Sequence, residues 1–277
     1  MQPLVAVGAL GGSGTRVVAE ILMNLGINLG EVLNEPNDNL IFTALFKNPV
    51  WYKASNKHDL IKRLKIFNKF MTGQNLSLND KIELFKSSIL NKTIGRDYFY
   101  YYKVFLSKRD SKESAFWGWK EPNTQLYLEV INEFYPKIKY IHVLRNGLDM
   151  AFSNNKYQLR NWGFKHNIFL NNIDDDIEMS IKQLDYWIQS TKEILGLRHK
   201  FQDRFYLLNY SDFCKNPQNE IENLLNFLGI NIDDDRKEKL IQLVNIPNSF
   251  ERYKKKDISF FRKDQLKYVE KMGFSIN

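Results

Sequence analysis

The segment Gly8-Ala-Leu-Gly-Gly-Ser-Gly-Thr-Arg16 separates a short apolar run from a helical pattern. The run, Leu4–Gly8, has the continuous apolar character of a buried strand. After the segment, apolar residues recur at helical spacing, and Gly26 stands where that helix would end. The recurring residues are Val17, Val18, Ile21, Leu22 and Leu25. A strand, a tight glycine-rich loop and a helix in this order predict the opening of a parallel α/β fold.

The rest of the chain continues the alternation of strands and helices. Further short strands are predicted at Phe116–Trp119, Tyr140–Leu144 and Phe205–Leu208. Helices are predicted at Asn123–Phe134, from about Gly147, at Ile177–Leu195 and at Glu220–Leu228. Residues from about 40 to 106 are helical in pattern, which predicts a helical insertion able to cover a site. We therefore predict one domain, residues 1–277, with a three-layer parallel sheet flanked by helices.

Composition and charge make several classes of protein a poor fit, among them disordered, disulfide-rich and membrane-spanning proteins. Hydrophobic residues make up 43% of the chain, which excludes disorder along its whole length. The net charge of +8 is spread out, which is less typical of a nucleic-acid binder, and a small polyanionic substrate explains it as well. The single cysteine, Cys214, can form neither an internal disulfide nor a structural zinc site. Without a signal-peptide pattern or a membrane-length apolar run, we expect a cytoplasmic protein with no membrane span.

The glycine-rich segment has the chemistry of a phosphate-binding loop. Glycines let backbone N–H groups converge, the following helix adds its positive end, and Ser13, Thr15 and Arg16 add hydroxyls and a charge. A kinase-type P-loop would need a lysine after Gly14, and none is there. A dinucleotide fingerprint would need a third glycine where Val17 stands. A glycine turn without a ligand is the remaining alternative.

A second anion site is predicted where Tyr140–Leu144 ends. Arg145 follows this strand and can make a paired contact to a phosphate. Asp149 and Ser153 follow at steps of four, which places both on one face of the predicted helix. Ser153 can donate to a phosphate, whereas Asp149 is expected to orient Arg145 or to bond backbone. The alternative is a surface ion pair with no ligand.

Taken together, these motifs resemble the family of sulfotransferases that depend on 3'-phosphoadenosine 5'-phosphosulfate (PAPS). Gly12-Ser13-Gly14-Thr15 is similar to the family's loop for the 5'-phosphosulfate, and Arg145 with Ser153 is similar to its site for the 3'-phosphate. The segments Phe205–Phe213 and Ser249–Arg252 resemble its late strand and its closing segment. The resemblance implies a P-loop-like fold, PAPS as co-substrate and no metal. The implied cofactor-binding residues are Gly11, Gly12, Ser13, Gly14, Thr15, Arg16, Arg145, Ser153, Tyr210 and Arg252.

The resemblance also implies catalytic residues. Lys120-Glu121-Pro122 resembles the family's Lys-acid-Pro segment, whose lysine faces the sulfate. Many members have Lys or Arg where this chain has Gly12, so Arg16 or Lys120 would supply that charge. Asp38 is our choice of general base, with Glu31, Glu35 and Glu121 as other candidates. Asp38 could equally cap the helix that begins near residue 40.

The resemblance implies a hydroxyl or amine acceptor, and a small molecule or carbohydrate is expected by fold-level analogy. Trp51, Tyr52 and Tyr98–Tyr102 could stack on such an acceptor, or they could belong to the core. Two other classes stay open at this point. One is a nucleotide or sugar kinase, which would need ATP with magnesium, and the other is a nucleic-acid-binding module, which would bind oligonucleotides in a steeply salt-dependent way. No oligomeric state is assigned.

Overall fold

The computed structural model describes residues 4–90, 116–170 and 175–276. It divides the chain into two compact units. The first unit consists of residues up to Gly8 together with Val18–Tyr140. The second unit consists of Ala9–Val17 and the chain from Ile141 onward.

Four strands form a parallel sheet, and all of them were predicted to within one or two residues. They are β1 (Val5–Ala9), β2 (Gly118–Lys120), β3 (Lys139–Leu144) and β4 (Phe205–Asn209). The strand order is β2-β1-β3-β4, and Val5 pairs with Gly118 in the parallel register of β1 and β2. Every residue of β1 and β2 is buried, as expected for parallel strands with helices on both faces. The predicted α/β fold is confirmed.

The strand order reverses between β1 and β3. From β1 the chain goes to β2 on one side, and later to β3 and β4 on the other side. In open parallel sheets, ligands bind at the carboxyl ends of the strands beside such a reversal. The glycine-rich loop follows β1 and Arg145 follows β3, so both lie at this point.

Five helices are described before β2, and three of them begin at asparagine caps. They are α1 (Thr15–Asn24), α2 (Leu40–Phe46), α3 (Pro49–Ala54), α4 (Lys57–Met71) and α5 (Leu78–Leu90). Asn39, Asn48 and Asn56 each accept backbone N–H groups of the helix that follows, which satisfies donors that the first turn leaves unpaired. The prediction of helices from about residue 40 is therefore right as far as residue 90. Its remainder up to residue 106, with Tyr98–Tyr102, lies outside the described residues.

The helix predicted at Asn123–Phe134 is divided in two. Pro122–Tyr127 forms a 3-10 helix, and α6 (Leu128–Phe134) continues from it. The 3-10 turn forms because the Glu121 carboxylate accepts the N–H of Asn123 at 2.6 Å and so fixes a tight start. Aromatic rings pack the core of this unit, with Phe42 stacked on Trp119 at 5.6 Å between ring centroids.

The second unit is mainly helical outside its strands. Its helices are α7 (Gly147–Ala151), α8 (Tyr157–Trp162), α9 (Asp176–Phe201), α10 (Tyr210–Lys215), α11 (Pro217–Leu228), α12 (Asp234–Gln242) and α13 (Lys263–Lys271). Trp187 of α9 packs against Gly147 and donates its indole N–H to the Arg145 carbonyl at 3.0 Å. This contact fixes the backbone where β3 ends. Among the described helices, none is long and apolar enough to cross a bilayer.

His142 of β3 is a core residue, as predicted, and it makes stability depend on pH. It is 2% exposed, and burial lowers the pKa of its imidazole to about 3. Between about pH 6.5 and pH 3 the unfolded chain binds a proton that the folded chain does not, so the free energy of unfolding falls as pH falls. We expect His142→Gln to reduce this slope by up to about 1.4 kcal/mol per pH unit, measured by urea unfolding between about pH 6 and pH 4. His58→Gln, at an exposed site on α4, is the matched control, and equal slopes in wild type and His142→Gln would contradict the prediction.

Candidate functional site

A buried ion pair lies directly after β3. Nη2 and Nε of Arg145 donate to Asp149 Oδ2 at 3.1 and 3.3 Å. Arg145 is 4% exposed and Asp149 is 2% exposed. Asp149 also accepts the backbone N–H groups of Glu251 at 3.1 Å and Tyr253 at 3.5 Å. Asp149 therefore orients Arg145, as predicted, and the alternative of a surface ion pair is wrong.

Arg145 also contacts the glycine-rich loop. Its Nη1 donates to the Gly12 carbonyl at 3.1 Å, and its Nη2 donates to the carbonyl and the hydroxyl of Ser249. Its guanidinium carbon lies 5.5 Å from the centroid of the Tyr210 ring. Arg145 thus contacts three segments of the second unit that were predicted separately: the glycine-rich loop at Gly12, the late segment at Tyr210 and the closing segment at Ser249.

Tyr210 supports the loop at Gly14. A Cβ atom on Gly14 would lie 2.0 Å from Tyr210 Cε2, and the φ angle of Gly14 is +90°, so only glycine fits. Tyr210 begins α10 and is buried, and this burial raises the pKa of its phenol, which stays a neutral donor. Gly12 has a φ angle of +92° and nothing within 4 Å of its missing side chain. The loop is therefore closely packed at Gly14 and open at Gly12.

The helix α1 begins directly after the loop. Its first-turn N–H groups lack intrahelical acceptors and carry the positive end of the helix dipole. The hydroxyl-bearing residues Ser13 and Thr15 are buried, and Ser13 Oγ lies 4.0 Å from the sulfur of Met150. Arg16 is exposed on the first turn. This is an arrangement of donors and positive charge that suits an anion.

Ser153 lies beyond the helix in which it was predicted. The helix α7 ends at Ala151, so Asp149 and Ser153 do not share a helix face, and that prediction is wrong. The Ser153 hydroxyl accepts the N–H of Asn155 at 3.2 Å. Such local bonds from side chain to backbone compete with helix continuation, which explains the early end.

Two cations are held on consecutive carbonyls at the end of α7. Lys156 Nζ donates to the Ala151 carbonyl at 2.6 Å, and Arg252 Nη1 donates to the Phe152 carbonyl at 3.5 Å. Burial, with the charge of Arg252 in the same direction, lowers the pKa of Lys156 to about 8. Burial and the charge of Arg145 lower the pKa of Arg252. An anion placed among these cations would relieve their mutual repulsion.

The first unit brings Lys120 and Asp38 together. Lys120 ends β2 and is 2% exposed, and its Nζ donates to Asp38 Oδ1 at 2.5 Å and to the Pro36 carbonyl at 2.8 Å. Asp38 Oδ2 accepts from Asn34 Nδ2 at 3.1 Å. Lys120 is therefore a buried residue rather than an exposed surface lysine. An ammonium has three donors, so one N–H of Lys120 remains for a further acceptor.

The two candidate bases Asp38 and Glu121 have different local surroundings. The cap of α2 is Asn39, so the alternative in which Asp38 caps that helix is wrong. Glu121 is fully buried, accepts from the backbone and the side chain of Asn123, and lies 3.7 Å from Lys47 Nζ. Its burial raises the pKa of its carboxyl group. Glu121 thus serves the start of the 3-10 helix.

Sequence reasoning missed Gln158 and two backbone contacts. Gln158 of α8 accepts the Gly11 N–H at 2.7 Å, although 147 residues separate the two. The carbonyls of Pro36 and Ser249 bind Lys120 and Arg145. Backbone acceptors leave no trace in a side-chain pattern. Gln158 stands in a short helix of mixed exposure, with Tyr157 and Arg160 exposed, so no local pattern marks it.

Comparison with known proteins gives a family and a fold. A family model described as the sulfotransferase family matches residues 3–234. The sulfotransferase domain of the olefin synthase from Synechococcus PCC 7002 is 13% identical, with a TM-score of 0.51, over 100% of this chain and 97% of that one. The sulfotransferase STF9 from Mycobacterium avium is 11% identical, with a TM-score of 0.50, over 100% of this chain and 77% of that one. No curated protein sequence matches the chain.

Proposed function

The chain belongs to the sulfotransferase family, and we propose that it moves the sulfuryl group of PAPS to a hydroxyl or amine acceptor. The observation that carries the proposal is the bond from Arg145 Nη1 to the Gly12 carbonyl at 3.1 Å. It brings the predicted residues for the 3'-phosphate next to the predicted loop for the 5'-phosphosulfate, within one compact unit. A single nucleotide with phosphates at both positions would engage both sets.

The proposed reaction is an in-line transfer between two oxygens, or from oxygen to nitrogen. The acceptor atom attacks sulfur, and the bond from sulfur to the 5'-phosphate oxygen breaks. The proton of the acceptor passes to a base, and the products are the sulfated acceptor and adenosine 3',5'-bisphosphate. Charge builds on the bridging and equatorial oxygens, so fixed N–H groups and cations lower the barrier.

The residues of the second unit fit the two anionic ends of PAPS. For the 5' end, the loop from Gly11 to Thr15 and the start of α1 offer N–H groups and hydroxyls. For the 3' end, Arg145, Ser153 and Arg252 offer two guanidinium groups and a hydroxyl. The Tyr210 ring packs closely against Gly14 and so supports the loop. The cations at the end of α7 are held by carbonyls, and their charge is left for a phosphate.

For the chemistry we propose Lys120, Asp38 and Arg16. The likeness of Lys120-Glu121-Pro122 to the Lys-acid-Pro segment of the family supports Lys120 as the group that stabilises sulfuryl oxygens. The ion pair with Asp38 holds its ammonium in place. Asp38 is the proposed base, and exposed Arg16 would supply charge to the leaving phosphate.

The proposed acceptor is a carbohydrate, and this choice rests on fold-level analogy. Of the aromatic residues predicted as stacking candidates, Trp51 and Tyr52 are half-buried on α3. The Arg63 guanidinium covers one face of the Trp51 ring at 3.5 Å, and the Tyr52 ring packs against Tyr127 at 5.4 Å. A screen with labelled PAPS against sugars, phenols and amines tests this choice, and transfer to phenols alone would replace it.

A cytoplasmic location is also part of the proposal. Its support is Cys214, which is buried and is the single cysteine of the chain. A lone buried thiol suits a reducing compartment.

Thermal unfolding with adenosine 3',5'-bisphosphate tests the proposed donor. At a concentration about 100 times Kd, we expect the bisphosphate to raise Tm by about 5–10 °C, because it binds the folded chain alone. Arg145→Ala should lose most of this increase, since it removes the main cation of the proposed 3'-phosphate site. Arg198→Ala, at an exposed position of α9, is the control and should respond as wild type does.

Thermal unfolding also distinguishes a sulfotransferase from a kinase. A larger response to ATP with magnesium than to the bisphosphate would favour the kinase. The absence of any response to saturating bisphosphate would count against the proposed donor.

A further inference from the structure

Gln158 is a second side chain, besides Arg145, that bonds the glycine-rich loop. The Gly11 N–H donates to Gln158 Oε1 at 2.7 Å, and Gln158 is 7% exposed. A Cβ atom on Gly11 would lie 3.4 Å from Asn155 Nδ2, so the connection between α7 and α8 also packs on the loop. The Gly12 carbonyl, one residue further on, accepts from Arg145. Two consecutive residues of the loop, Gly11 and Gly12, are therefore each held by a side chain.

Some N–H groups of the loop bond within the protein, and others are left for a ligand. Gly11 donates to Gln158, and Ser13 donates to the Leu10 carbonyl at 3.2 Å. Gly12 and Gly14, which alternate with these residues, have φ angles of +92° and +90°. Internal bonds thus engage every second N–H, and the donors between them remain for an anion.

Glycine-rich loops need such fixation because they lose much conformational entropy when they become ordered. A loop whose shape is already set binds its ligand without that cost. Because Gln158 accepts from the backbone and carries no charge, it can set the loop without competing with the phosphate for a cation.

We propose that Gln158 is a positioning residue that sets the loop for the 5'-phosphate end of the nucleotide. The proposal rests on the proposed function and deepens it. It assigns the Gly11 N–H to anchoring the loop, and it assigns the N–H groups of Gly12 and Gly14 to the ligand.

Calorimetric titration of the full chain tests the proposal with three ligands, adenosine 5'-monophosphate, adenosine 3'-monophosphate and the 3',5'-bisphosphate. Gln158→Met keeps the size of the side chain and removes its acceptor. We expect it to weaken binding of both ligands with a 5'-phosphate by about 3–10-fold, the effect of one buried hydrogen bond. Binding of the 3'-monophosphate should stay within about twofold, because Arg145, Ser153 and Arg252 are unchanged. Gln189→Met, at an exposed position of α9, should bind all three ligands as wild type does.

If Gln158 had a merely structural role, Gln158→Met would weaken the binding of all three ligands by the same factor, and that result would overturn the proposal. Unchanged affinity for all three would overturn it too. Gln158→Asn shortens the side chain by one methylene and keeps its polarity, so it decides the question if Gln158→Met fails to fold.

Hydrogen exchange at the Gly11 amide should be faster in both variants than in wild type, and equal exchange rates would also overturn the proposal. If wild type binds none of the ligands, the proposed function fails and this proposal fails with it, whereas binding without the 5'/3' difference refutes only the role of Gln158.

Discussion

Lys120→Met is expected to slow the release of adenosine 3',5'-bisphosphate from PAPS by about 100–1000-fold, the effect of removing one preorganised donor to a developing charge. Lys120 is 2% exposed, and in such surroundings a fixed charge acts much more strongly than in water. Affinity for the bisphosphate itself should stay within about threefold, because this product carries no sulfuryl group. The measurement is single-turnover release of the bisphosphate, together with its Kd.

Lys120→Met is also expected to unfold more easily, so the loss of turnover must be separated from the loss of stability. Without the ammonium, the Asp38 carboxylate is left buried and unpaired, at a cost of about 3–5 kcal/mol. Lys120→Met with Asp38→Asn removes both charges and should restore part of this stability while turnover stays low. Lys62→Met, on the exposed side of α4, should change neither quantity. Wild-type turnover in folded Lys120→Met would remove this residue from the chemistry, and an equal loss of bisphosphate affinity would assign it to nucleotide binding.

The strands and the ends of helices could be predicted because they depend on neighbouring residues. Each strand is a short apolar run, and this pattern placed β1 and β3 within a residue of their observed bounds. Gly26 and Gly229 end their helices with φ angles of +84° and +72°, a conformation that glycine adopts without strain. Local chemistry determines both features, so a single sequence carries the information.

The partners of the charged residues could not be predicted in the same way. The acid that pairs with Lys120 lies 82 residues before it, and the anchor of Gly11 lies 147 residues after it. These pairs form because strand order brings distant loops together, and no local spacing encodes that order. The spacing of Arg145 and Asp149 by four residues was informative, but it also suggested a longer helix than α7, and so misplaced Ser153.

Of the hydrogen bonds of Asp149, the sequence could predict the one to Arg145 but not those to the closing segment. Its bond to Arg145 spans four residues and follows from helical spacing. Its other two bonds go to the backbone of Glu251 and Tyr253, more than a hundred residues away. One carboxylate therefore orients the proposed 3'-phosphate cation and holds the closing segment. This single side chain would therefore couple stability to the proposed binding of the 3'-phosphate.

Asp149→Ala is expected to lower the free energy of unfolding by about 3–5 kcal/mol, because it leaves the buried charge of Arg145 without a partner. The N–H groups of Glu251 and Tyr253 lose their acceptor in the same variant. Glu178→Gln removes the acid of an ion pair of the same spacing, with Lys182 on α9, but half of the Glu178 side chain is exposed. It should cost less than about 0.5 kcal/mol. Urea unfolding without ligand measures both values, and a loss below about 1 kcal/mol in Asp149→Ala would contradict the importance we assign to this pair.

A double variant separates the two roles of the pair. Arg145→Met with Asp149→Leu removes both charges and fills their volume, so it should recover much of the stability that Asp149→Ala loses. It should nevertheless show almost no increase of Tm with adenosine 3',5'-bisphosphate, because the guanidinium has gone. Asp149→Ala keeps Arg145, and the 3'-phosphate can replace the missing carboxylate as its counter-charge. The ligand should therefore stabilise Asp149→Ala at least as much as it stabilises wild type, and a lost response in that variant would mean that Asp149, rather than Arg145, determines phosphate binding.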